Sequence, residues 1–283
     1  MTVSAAHHEP PAFDVREFAR TAQGSLRDDL DLPAIAAEPL SHEVARTLAA
    51  LALLEGATMA HLRNVLVTST HKDARVTAFL VTWAFEKFWI ADALRAIVAA
   101  GAGEEPASAG EPDAAPAPTG RVAASAGRGP VRRALAGFTQ GWAVVGVHMA
   151  VGFVDDRMLR AAHLRVVDVA GSPPLADAVD RILRVKARHA EFFEGEARAR
   201  LGTSARAARL ARRELRRTSW PLGGSALEPA ELDAFGRFAF GGDAGRAALR
   251  GLEHEIRGLP GLDTRTAASV NASLAALAAR PAA

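Results

Sequence analysis

Four long stretches of this chain carry apolar side chains at i, i+4, i+7 and i+11, the spacing that keeps one face of an α-helix in view. Each stripe is interrupted near its middle by one charge. The first runs Val44, Leu48, Leu51, Glu55, Met59, Leu62, Leu66, and the second Val76, Leu80, Trp83, Lys87, Ile90, Leu94, Ile97. The third runs Val145, Met149, Gly152, Asp156, Leu159, His163, Val167, and the fourth Leu175, Val179, Ile182, Lys186, His189, Phe193. Apolar stripes of this kind must be buried against other elements, so the pattern predicts an all-α fold in which four helices meet along these faces. No alternating strand pattern of useful length competes with it.

An unpaired charge inside such a face is costly even after the protein relaxes around it. Two carboxylates and two ammonium groups at matching depth sum to zero, so mutual neutralisation of Glu55, Lys87, Asp156 and Lys186 is one expected arrangement. The other is a lysine at the edge of its stripe, with its stem buried and its ammonium in water.

The four helices are expected from Ser41, a natural N-cap, to about Thr68; from about Lys72 to Ala99; from about Val131 to Ala170; and from about Leu175 to Leu201. Gly171-Ser-Pro-Pro is a hard stop between the third and fourth. Residues 101–130 are Ala, Gly, Pro, Ser and Glu with almost no large apolar side chains, which reads as a flexible connection. Two helical hairpins joined by one long crossover is the connectivity of ferritin-like four-helix bundles. Residues 1–40 form an N-terminal arm with one short helix near 15–23, residues 41–201 the bundle, and residues 202–283 a C-terminal helical extension packed on it.

At these residues the chain resembles bacterial ferritin-like proteins related to the acyl-carrier-protein desaturases and other di-iron carboxylate proteins. Trp83-Ala-Phe-Glu-Lys-Phe-Trp-Ile-Ala-Asp-Ala-Leu is similar to a family pattern W-x-x-E-E-x-W-H-x-x-A-L, and Arg184-Val-Lys-Ala-Arg-His-Ala-Glu-Phe-Phe to one ending E-A-R-H-x-x-F-F. In that family one Glu from each of helices one and three, and a Glu-x-x-His from each of helices two and four, hold two iron or manganese ions. The resemblance implies ligand positions at Glu55, Lys87, Ile90, Asp156, Lys186 and His189. Glu55 and His189 match, and Asp156 is a shortened acid. Lys87, Ile90 and Lys186 cannot serve, because a protonated lysine offers only donors and repels a cation. The expectation is therefore no metal and no cofactor, with Glu86 as a neighbouring acid outside the ligand set.

Other candidates are weaker. His163 lies about 10 Å along the helix axis from Asp156; it either lines a cavity with Trp83, Ile90, Met59 and Phe193, or is a core histidine bonded to a backbone carbonyl. His61 and His148 read as structural or exposed, and Asp155 as solvated or salt-bridged. Trp83, Phe85, Phe88 and Trp89 read as core and interface packing. Arg206, Arg209, Arg212, Arg213, Arg216 and Arg217 form either a solvated face or a dock for an acidic carrier protein.

Composition narrows the function classes. Cysteine and tyrosine are both absent, which removes disulfides, thiolate chemistry and tyrosyl radicals. A formal net charge of +2 gives no case for nucleic acid. No apolar run predicts a membrane span, and residues 1–11 are polar and lack a basic stretch followed by an apolar one, so no signal peptide and a cytoplasmic protein are expected. No P-loop, dinucleotide fingerprint or nucleophile elbow is visible. Three functional readings remain. The first is a metal-free ferritin-like protein, expected as a homodimer, whose paired lysines and carboxylates bind a small molecule in the interior or hold the fold. The second is a metal-independent enzyme using Lys87 or Lys186 as base or Schiff-base former with His189 as partner. The third is a di-metal oxidase with atypical ligands.

Overall fold

The computed structural model describes residues 13–103 and 141–281, and among these residues the regular elements are helices, with no strand. In chain order they are α1 (Val15–Arg20), α2 (Leu32–Ala37), α3 (His42–Gly56), α4 (Thr58–Leu66), α5 (Ala74–Gly101), α6 (Ala143–Ala170), α7 (Pro173–Thr203), α8 (Ala205–Leu215), α9 (Pro229–Phe240), α10 (Gly242–Arg257) and α11 (Thr264–Ala278). The crossover expected over 101–130 and the expected start of the third long helix at Val131 lie outside the described residues, apart from 101–103.

Local chemistry places the helix ends. Ser41 caps α3 by accepting from Val44 N, and Asp73 caps α5 by accepting from Val76 N. Asp14, Asp31, Ser204 and Asp263 do the same for α1, α2, α8 and α11. Gly171 ends α6 in the left-handed conformation (φ 61°), where a Cβ would be strained, and Pro173-Pro174 then open α7.

The long helices pair as two antiparallel hairpins, α3 with α5 and α6 with α7, and the hairpins meet through α3 with α6 and α5 with α7. Leu40, just ahead of α3, lies against Gly101 at the far end of α5. Gly152 lets α6 approach α7 closely, since a Cβ there would run into the Phe193 ring. The charged positions of the four stripes are all buried, so neither lysine extends to solvent.

Three expectations are corrected. The first long helix is not continuous to Thr68. It breaks at Ala57, where Thr58 Oγ1 donates to Glu55 O at 2.7 Å, and the loop at Gly223 (φ 76°) leans on Ala57. The break rephases the stripe, so Met59 is 50 % exposed while Leu62 and Val65 stay buried. Second, the N-terminal arm holds α2 as well as α1 and is strapped across α5. Phe18 stacks on Phe79, Phe79 on Phe192, and Arg27 pairs with Asp92 at 2.7 Å. Third, Phe85 and Phe88 are not core. They are 47 % and 37 % exposed, on a face of α5 that also exposes Val81.

The C-terminal helices lie on the long ones. Helix α8 packs on α6 and α7, burying Ala207, Ala208, Ala211 and Leu215. Arg206, Arg209, Arg213, Arg216 and Arg217 stay exposed on its other side, while Arg212 donates to Gly261 O at 2.6 Å. Helices α9, α10 and α11 pack on one another, and α9 and α10 also on α6. Arg46 of α3 pairs with Glu231 of α9 at 2.8 Å.

Candidate functional site

The interrupted stripes converge. Each of the four long helical segments contributes one charged side chain to a common point: Glu55 from the last turn of α3, Lys87 from α5, Asp156 from α6 and Lys186 from α7. Lys186 Nζ lies 2.9 Å from Glu55 Oε1 and 3.0 Å from Asp156 Oδ1. Glu55 Oε2 pairs with Lys87 Nζ. Glu55 therefore bridges the two ammonium groups. Fractional exposures are 0 % for Glu55, 2 % for each lysine and 4 % for Asp156, so the cluster is enclosed.

The arrangement sorts the two lysines. Burial disfavours the charged form of both. Lys186 has two carboxylates in contact, and their attraction carries its pKa above the usual lysine value. Lys87 has one carboxylate in contact and is repelled by Lys186, so burial wins and its pKa is lowered. Burial alone would raise the pKa of Glu55; Lys186 and Lys87 outweigh it and hold the carboxyl well below the usual carboxylate range. Trp83 closes the Lys87 side, with its ring centroid 5.6 Å from Nζ. Ile90 is fully buried, and Phe193 packs edge-on to Trp83 at 5.5 Å.

His189 pairs with Glu86 rather than with either lysine, its Nε2 lying 2.6 Å from Glu86 Oε2. Burial lowers the pKa of His189 despite the carboxylate beside it, and its Nδ1 is buried without a hydrogen bond. A neutral ring with the proton on Nε2 fits both facts, because Nδ1 then carries a lone pair instead of an unsatisfied N–H. Glu86 also accepts from Gln23 N at 2.7 Å and pairs with Arg188. It is a fully buried hub linking the arm, α5 and α7. Sequence spacing misses it because Glu86 sits about 100° around α5 from Lys87, off the apolar stripe, and is covered by residues of the arm.

The remaining candidates fall nearby. His163 is fully buried with Nδ1 2.8 Å from Leu159 O, a core histidine bonded to a backbone carbonyl; burial lowers its pKa to about 4. His148 Nδ1 lies 2.8 Å from Thr70 Oγ1, and His61 lies edge-on to Trp83 with ring centroids 6.5 Å apart. Burial lowers their pKa values to about 3 and about 4.

Asp155 is neither solvated nor salt-bridged. It is 8 % exposed, and Leu222 N donates to its Oδ1 at 3.1 Å from the Trp220–Gly223 loop. Burial raises its pKa to about 7, although Lys87 and the Leu222 N–H pull it down. A carboxyl whose folded pKa lies above its unfolded value keeps its proton in the folded state while the unfolded chain has lost it. Stability therefore falls as pH rises from about 4 to about 7 and is flat above. Asp155→Asn keeps the acceptor and removes the charge. It is expected to raise stability at pH 8 by up to about 4 kcal/mol and to leave it unchanged at pH 4. Thermal melts at both pH values check this, and an equal effect at pH 4 and pH 8 would contradict it.

The donor set does not suit a divalent metal. Two of its four charged groups are ammonium groups, and both carboxylates are engaged by them. Among the described residues no group of three or more His, Asp or Glu side chains could hold a metal ion. No helix is long and apolar enough to cross a membrane, a statement that covers the described residues. Compared with family models, with curated proteins and with solved structures, the chain gives no match in any of the three.

Proposed function

We propose that this chain is a ferritin-like helical protein whose interior has been converted from a metal-holding site into a charge-balanced ion cluster, and that the cluster holds the fold instead of performing oxygen chemistry. The observation that carries the reading is Lys186 Nζ lying between Glu55 and Asp156 at 2.9 and 3.0 Å, with Lys87 on the second Glu55 oxygen. Support for the ferritin-like part comes from the α5 and α7 residue patterns and from the two-hairpin pairing of the long helices. Support for the structural part comes from burial. A small molecule or a carbonyl substrate would have to reach ammonium groups that are 2 % exposed and already ion-paired. One side chain from each long helical segment meets in the cluster, so a sliding of either hairpin would separate opposite charges in a medium where that is expensive. Such a protein would act through its surface, in binding or assembly.

The test is elemental analysis of protein expressed with both iron and manganese in excess. Content far below one metal per chain is expected. Near-stoichiometric metal that Glu55→Leu removes would overturn the proposal.

A further inference from the structure

A groove of about 310 Å³ runs between α6 and α10, closed at one side by Ala239 of α9. Its two walls are helical stripes. Arg157, Ala161, Leu164 and Asp168 lie at i, i+4, i+7 and i+11 on α6, and Ala244, Ala248, Gly251 and Glu255 repeat that spacing on α10. The α10 wall is built from small residues, and a Cβ on Gly251 would meet nothing within 4 Å, so the groove is open at that point. Leu164, facing the small residues, is left 46 % exposed.

The charges bordering the groove do not balance. Arg157 is fixed by Glu194 at 2.9 Å, by Glu255 at 3.5 Å and by the Phe153 ring, 5.2 Å from its Cζ. Arg165 pairs with Asp168 one turn away. Arg160, also lining the groove, has no hydrogen bond or ion pair among the described residues. Of the three lining arginines, Arg157 and Arg165 each have an acid partner and Arg160 has none, which leaves one uncompensated guanidinium beside apolar walls.

We infer that this groove binds a small amphipathic monoanion, an organic carboxylate whose head meets Arg160 and whose apolar body lies along Leu164, Ala248 and Gly251. A carboxylate matches both the planar guanidinium fork and the single surplus charge, where a phosphate monoester would bring nearly two. The volume suits a small ligand with a few fixed polar contacts. The site is independent of the interior ion cluster and stands or falls separately from it.

Isothermal titration of the full chain with octanoate at fixed ionic strength tests the inference, with inorganic phosphate as a head-only probe and 1-octanol as a tail-only probe. Octanoate is expected to bind one to one with Kd below about 1 mM, and each control roughly tenfold or more weaker. Arg160→Ala should weaken octanoate by roughly tenfold or more. Gly251→Leu, whose side chain enters open space, should abolish binding while Tm stays near that of the parent. No saturable octanoate binding, equal binding of either control, or unchanged binding in the folded Gly251→Leu variant would each overturn it.

Discussion

Replacing Glu55 by leucine is expected to destabilise the protein by about 3–5 kcal/mol at pH 7, one of the two largest effects in the molecule. Glu55 is the one carboxylate in contact with both ammonium groups. Without it, Lys186 keeps Asp156, but Lys87 loses its contact partner and retains only the longer-range attraction of Asp155. The loss has a ceiling set by the lysine itself. A buried ammonium can shed its proton, and neutralising a lysine of ordinary pKa at pH 7 costs about 5 kcal/mol. Lys87 is the lysine whose pKa burial already lowers, so it is the one that deprotonates. The destabilisation should therefore shrink as pH is raised from 7 to 9. Urea unfolding at the two pH values reads it, and a Glu55→Leu loss below about 1 kcal/mol would mean that the cluster is not buried as described.

The second large effect is a recovery. Changing all four groups together (Glu55→Leu, Lys87→Met, Asp156→Leu and Lys186→Met) is expected to return the stability to that of the parent chain or above it by about 1–4 kcal/mol. The reason is desolvation. Removing four charges from water costs more than their mutual attraction returns unless every lone pair and proton is satisfied, and packed apolar groups of similar volume have no such requirement. No charge is stranded by the fourfold change, because Asp155, deprived of the Lys87 field, keeps its proton more firmly. Strong non-additivity between the single and the fourfold variants is the signature of groups in one network.

The parts of this arrangement that could be read in the residues are those governed by local rules. Ser41, Asp73 and Gly171-Ser-Pro-Pro mark helix ends through backbone groups within a few residues of themselves, and the structure uses them in that way. Glu55, Lys87, Asp156 and Lys186 interrupt regular apolar spacings, so periodicity alone brings them to a common interior. What stayed hidden depends on segments distant in the chain. Met59 faces solvent because α3 breaks at Ala57, where the loop at Gly223, far along the chain, takes up position. Asp155 is buried by Leu222 of the same loop. Glu86 is buried because the arm crosses α5 and offers Gln23 N. Phe85 and Phe88 show the converse: their aromatic character predicts burial, but the arm and α3 leave their face of α5 open. None of these carries a periodic signal, since each follows from which distant element covers which face.

The central claim is that Glu55, Lys87, Asp156 and Lys186 form one buried, charge-balanced structural unit. Urea unfolding free energies of the parent, the Glu55→Leu chain and the fourfold apolar chain, measured side by side at pH 7, test it most directly. The claim predicts a loss of about 3–5 kcal/mol for the single change and full recovery in the fourfold chain. A fourfold chain at least as destabilised as the single variant would contradict it.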